Sequence, residues 1–83
     1  MSKEFCTYFD EGKEIRHEIL TVGHTFKHKD RKYHVIAVLD DEKGNREGVL
    51  YVVKYYGLFE KWWHYEVWSA FDYDLRIRRI FDK

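Results

Sequence analysis

Along most of this chain apolar and polar residues alternate with a period of two, the spacing of a strand that buries one face. Residues 4 to 10 and 14 to 20 flank Asp10-Glu11-Gly12-Lys13, where Gly12 can take the positive φ of a tight turn, so a first hairpin is predicted. In its second arm Ile15, His17 and Ile19 alternate with Glu14, Arg16 and Glu18. After Gly23 a short segment, His24 to Lys27, leads through the charged turn His28-Lys29-Asp30-Arg31 into Lys32-Tyr33-His34-Val35-Ile36-Ala37-Val38-Leu39. The apolar run and β-branched residues of this second strand predict burial on both faces and a place near the centre of the sheet. Asp40 to Gly48 is polar throughout and reads as a loop, and the chain returns as the strand Val49 to Tyr56, closed by Gly57.

The segment Lys61 to Trp68 fits two templates. As a strand it turns Trp63, Tyr65 and Val67 to the core and Trp62, His64, Glu66 and Trp68 outward. As a helix it aligns Trp63, Val67, Ala70 and Phe71 on one face. Three Trp and a Tyr suit a pleated surface, so the strand is preferred, with a short turn over Ser69 to Asp72 and room for a helical turn near 66–72. Tyr73, Leu75 and Ile77 then alternate with Asp74, Arg76 and Arg78 as a final strand. About five to seven short strands with tight turns predict a mainly β fold, a small antiparallel barrel or curled sheet. Proline is absent and the five glycines are scattered, so the 83 residues form one domain, an N-terminal hairpin over 1–20 and a core over 22–81.

Composition sharpens this picture at one point. Apolar residues make 45% of the chain and charged ones 36%, a balance that favours folding over disorder. A chain this short buries only roughly 60 to 65% of its unfolded surface, yet seven Tyr, six Phe and three Trp make 19% of it. So thin a core hardly holds all these rings, which predicts aromatic surface left open or covered by a partner. Fifteen basic residues balance fifteen acidic ones, so no global field attracts nucleic acid or anionic lipid. Cys6 has no second cysteine to pair with, the first residues lack a signal-like apolar run, and no stretch is long and apolar enough to span a membrane. A cytoplasmic protein without membrane contact is expected.

Gly23-His24-Thr25-Phe26-Lys27-His28-Lys29, then Tyr33-His34-Val35-Ile36, and later Val52 through Gly57 with Trp63 resemble an uncharacterised family of small bacterial domains. That family combines a G-x-Y-x-H-x-K opening with Y-x-V-I, an aromatic strand ending in Y-G and a later Trp. The likeness covers residues 22 to 70. Phe26 stands where the family has Tyr, and the Gly expected after the basic turn is replaced by Asp30 or Arg31. The resemblance implies a barrel of the Src-homology type and no catalytic motif.

The candidate binding residues are Tyr55, Tyr56, Trp62, His64 and Trp68, together with Arg76, Arg78 and Arg79. Outward rings could stack on bases, cage a methylated ammonium or cover a partner chain, or they could pack on the N-terminal hairpin and complete the core. The basic turn around Lys27 to Lys32 and the three arginines could supply phosphate contacts beside such rings. Five His and Cys6 lack zinc-site spacing, and no Walker, dinucleotide or nucleophile-elbow motif occurs, so neither metal, cofactor nor enzyme is expected. The leading expectation is a binding module acting through protein contact or self-association. A small nucleic-acid-binding barrel is the alternative.

Overall fold

A computed structural model describes residues 3–39 and 48–80. Strands β1 (Phe5–Asp10) and β2 (Lys13–Glu18) pair antiparallel in register from Phe5 opposite Glu18 to Asp10 opposite Lys13. Their turn residues, Glu11 at φ 50° and Gly12 at φ 80°, both lie in the left-handed region, as the tight two-residue turn that matches hairpin twist requires. The hairpin thus forms where the pattern places it.

The second sheet orders β3 (Thr25–His28), β4 (Arg31–Leu39), β5 (Leu50–Gly57) and β6 (Trp62–Ser69), all antiparallel. The two sheets do not close on each other, so the open, curled form of the expected architecture is the one adopted. Lys29 and Asp30, at φ 51° and 63°, make the β3–β4 turn. Pairing between β4 and β5 shifts register between Val35 and Ala37, which leaves Ile36 as a bulge. The predicted loop falls largely on residues 40–47, outside the described residues.

One face of this sheet carries the core. Phe26, Tyr33, Val35, Tyr51, Val53, Tyr55 and Trp68 are buried there, joined by Tyr8 from the hairpin and by Ala70 and Tyr73 from the C-terminal segment. The Phe26 and Tyr33 rings stack at 5.2 Å, and the Trp68 indole reaches across β5 to within 5.1 Å of Tyr33 and 5.2 Å of Phe26. Much of the aromatic content is therefore absorbed in one continuous layer of rings.

Three expectations are corrected. First, β4 is interior to the sheet as predicted, but it buries one face only: Tyr33 and Val35 point inward, whereas Ile36 is exposed and His34 half-buried. Second, β6 is a strand with the opposite facing. Trp68 is 2% exposed, while Trp63, Tyr65 and Val67 are 41%, 60% and 59% exposed. Period two gives two alternating sets but not which set points inward. Here β5 decides, because Tyr51, Val53 and Tyr55 face the core and their partners Trp68, Glu66 and His64 must share that side.

Third, the final strand is absent. Ala70–Tyr73 form a single α-helical turn, α1, and Asp74–Arg78 continue it as a π-helical turn that ends at Arg79, φ 55°. A capping box starts it: Ser69 Oγ accepts the Asp72 N–H at 3.0 Å, and the Ser69 N–H donates to Asp72 Oδ2 at 3.1 Å. Ala70, Tyr73 and Asp74 are buried and Ile77 packs against the core, the spacing of a helical face. Ser69-Ala70-Phe71-Asp72 is itself a helix start signal, set directly before the strand-like alternation of Tyr73, Leu75 and Ile77.

Candidate functional site

Two constellations stand out, one inside the protein and one on its surface. The inner one joins four elements. Asp74 accepts the Tyr8 hydroxyl at 2.6 Å on Oδ2, while its Oδ1 lies 3.0 Å from His17 Nδ1 and 3.3 Å from an Arg78 guanidinium nitrogen. His17 Nε2 lies 2.6 Å from the Tyr51 hydroxyl, whose oxygen accepts the Leu20 N–H at 3.0 Å. One proton arrangement satisfies every group: His17 Nδ1–H donates to Asp74, and Nε2 accepts the Tyr51 hydroxyl.

Burial alone would raise the Asp74 carboxyl pKa, but hydrogen bonds from His17 and Tyr8, with the charge of Arg78, outweigh it and hold the group below its ordinary value. Burial pushes the Tyr8 phenol far up, reinforced by its bond to Asp74, and pushes Tyr51 up against the partial opposition of the Leu20 N–H. An Asp–His–hydroxyl chain resembles the layout of a nucleophilic relay. In this protein His17 and Asp74 are 0% exposed and the Tyr51 oxygen already serves Leu20, so no reacting atom faces a substrate. The arrangement works as an internal clasp of hairpin, sheet and C-terminal segment. A cleft of about 420 Å³ beside it includes Arg16 and Arg78 in its wall. Both are engaged within the chain, Arg16 over the Phe5 ring at 3.9 Å and Arg78 on Asp74.

The surface constellation is the outer face of the second sheet. Trp63 is its centre: Tyr56 meets the indole at 5.4 Å and His34 at 5.6 Å, both edge to face, and the Lys54 ammonium sits 4.4 Å from its centroid. Tyr65 and Val67 extend the patch along β6, Val52 lies opposite Val67, and Ile36 and Leu39 add exposed apolar surface on β4. At the β5–β6 hairpin tip Leu58, Phe59 and Trp62 are also exposed, Phe59 almost completely. No element among the described residues packs over this face.

The residues singled out from sequence are thereby divided. Tyr55 and Trp68 belong to the core rather than to an open face. Tyr56 and Trp62 are exposed, and His64 is half-buried, stacked on Tyr55 at 5.0 Å. His64 Nε2 is buried without a hydrogen-bond partner, 3.6 Å from Glu60. Arg76 covers the Trp68 ring at 4.8 Å and approaches Asp72, and Arg78 is held by Asp74, so these two arginines serve internal contacts on a helical segment instead of lining a strand beside open tryptophans. Arg79 terminates that segment. Trp63, Tyr65 and Val67 were missed as surface residues because they were assigned inward.

Burial, then the charges of Lys29 and Arg76, lowers the His28 pKa; the nearby Glu66 opposes this. Among the described residues no group of three or more His, Cys, Asp or Glu side chains is placed to hold a metal ion, and no helix is long and apolar enough to cross a membrane. Comparison with protein-family models, with curated proteins and with solved structures finds no match for this chain.

Proposed function

We propose that this protein is a non-enzymatic binding module whose outer sheet face, centred on Trp63 with Tyr65, Val67 and Tyr56, makes protein contacts. The observation that carries the reading is the exposure of these rings on a sheet whose other face carries the core. Contiguous apolar surface rimmed by polar groups marks interaction sites, and aromatic residues anchor them. Lys54 and His34, packed on the Trp63 ring, supply the polar contacts that orient a partner.

Nucleic-acid binding by stacking is the competing reading. It is weakened because Lys54 occupies one face of Trp63 and because Arg76 and Arg78 are tied to Asp72 and Asp74. The same lysine blocks the position a methylated ammonium would take over that ring.

Sedimentation equilibrium across a concentration series tests the proposal, with Trp63→Ser/Tyr65→Ser in parallel and a short mixed-sequence single strand added at low and high salt. Mass above the monomer that is lost in the double variant supports protein contact through this face. Strand binding that weakens steeply with salt and depends on Arg76, Arg78 and Arg79 replaces it with the nucleic-acid reading. A protein that stays monomeric and ignores the strand overturns self-contact.

A further inference from the structure

We infer that a second copy of the chain adds beside this surface, edge to edge through β6 in antiparallel register about a twofold axis at Tyr65, to make one eight-stranded sheet. The inference goes beyond the reading of the outer face: it concerns the backbone edge next to that face and leaves the two faces side by side.

The two edges of the second sheet differ. β3 is four residues long, carries Lys27 and leads directly into Lys29, a short, charged edge of the kind that resists pairing. β6 is eight residues long, pairs with β5 without a bulge, and contains neither lysine nor proline. Among the described residues no backbone group of another element bonds its free side. A long, regular edge with exposed apolar side chains is a template for another strand.

The backbone fixes which residues can bond. Ala70 N–H donates to Val49 O, toward β5, whereas Ser69 N–H is taken by Asp72 Oδ2. Alternation along an antiparallel strand then places the free N–H and C=O groups of Trp63, Tyr65 and Val67 on the outer side. Twofold pairing must set these against one another, which leaves three central registers. An axis at His64 puts each His64 against its own copy. An axis at Glu66 opposes two carboxylates and asks Ser69, whose N–H is already used, to pair with Trp63. With the axis at Tyr65, Trp63 meets Val67, His64 meets Glu66 of the second copy, and Trp62 meets Trp68, so the full span 62–68 is paired. Only this register sets neither His64 nor Glu66 against its own copy, Tyr65 alone meeting its twin on the axis, and it joins the two Trp63 faces into one continuous aromatic surface.

Disulfide trapping in a Cys6→Ser background reads the register directly. His64→Cys and Glu66→Cys proteins are oxidised separately and as an equal mixture. In the inferred register positions 64 and 66 are opposite one another at a non-hydrogen-bonded pair, close enough for a disulfide, and the mixed dimer keeps one native His64–Glu66 contact. The mixture is expected to give crosslinked dimer at least several-fold above either protein alone. Strong crosslinking of Glu66→Cys or of His64→Cys with itself overturns the register. Tyr65→Pro provides the second arm: it removes an outward N–H and no bond to β5, so the circular dichroism and a cooperative melt should be kept while the dimer is lost. A dimer that survives Tyr65→Pro and gives no crosslink overturns edge pairing but leaves protein contact through the outer face standing. A monomer at every concentration overturns a second copy as the partner, by edge or by face.

Discussion

His17 Nδ1 lies 3.0 Å from Asp74 Oδ1, and the two side chains, 57 residues apart in sequence, are both fully buried. The pair contributes little by charge attraction alone, because burying two ionisable groups costs about as much as their interaction returns. Removing one member is another matter. Asp74→Ala leaves His17 and Tyr8 without their acceptor and should lower stability by about 3 to 5 kcal/mol, read as a shift of the urea midpoint at constant m-value. Tyr51→Phe removes the partner of His17 Nε2 and of the Leu20 N–H and should cost about 1 to 3 kcal/mol.

The same network sets both ends of the pH profile. Asp74 is held below its ordinary pKa in the folded state, so its share of stability is present above the unfolded carboxyl pKa of about 3.9 and is lost as pH falls toward the folded value. At the alkaline end the unfolded chain ionises its tyrosines near pH 10, whereas Tyr8 and Tyr51 remain neutral in the folded protein. Stability should therefore fall above about pH 10. Urea midpoints across pH check both limbs; Asp74→Asn should flatten the acid limb, and Tyr8→Phe the alkaline one.

Trp68 and Trp62 share a strand face by alternation yet should respond oppositely to truncation. Trp68→Ala opens the ring layer formed with Tyr33 and Phe26 and should cost about 3 to 5 kcal/mol. Trp62, 64% exposed at the start of β6, should change stability by less than about 0.5 kcal/mol. Thermal melts of the two variants decide between these outcomes.

Gly48 holds φ 88°, and a Cβ built there would come 2.8 Å from Ala70 Cβ and 3.3 Å from Tyr8 Cδ1. Neither neighbour is the end of a flexible side chain. Gly48→Ala combines a left-handed backbone penalty with overpacking and should destabilise by about 2 to 4 kcal/mol, measured by thermal melt.

The strand pattern was legible wherever turn chemistry reinforced it: Gly12 marked the first hairpin, and the charged residues from His28 to Arg31 marked the β3–β4 turn. Facing was not legible at β6, since Trp62/His64/Trp68 and Trp63/Tyr65/Val67 are equally aromatic and only pairing with β5 separates them. At the C-terminus Tyr73, Leu75 and Ile77 mimic a strand, while the capping box of Ser69 and Asp72 starts a helix. The clasp was hidden for a different reason. His17 was read as an inward strand residue and Asp74 as an outward one, and nothing in local sequence shows that the two will meet. The exposed aromatic strand was anticipated as an element, and Trp62 is exposed as expected; Trp63, Tyr65 and Val67 have the opposite parity to the expected one.

The clasp has a consequence for the order of events during synthesis. Tyr8 and His17 are made early, but the carboxylate both require arrives 66 and 57 residues later. Until Asp74 has left the ribosome the first hairpin has two polar side chains with no interior place for them, and its local contacts are those of a marginal two-stranded unit. Closure of such distant contacts is slow relative to hairpin formation. The nascent chain should therefore hold β1 and β2 outside the core and complete the fold in one late step, which makes the helical segment after β6 the part of the chain that commits it to the native state.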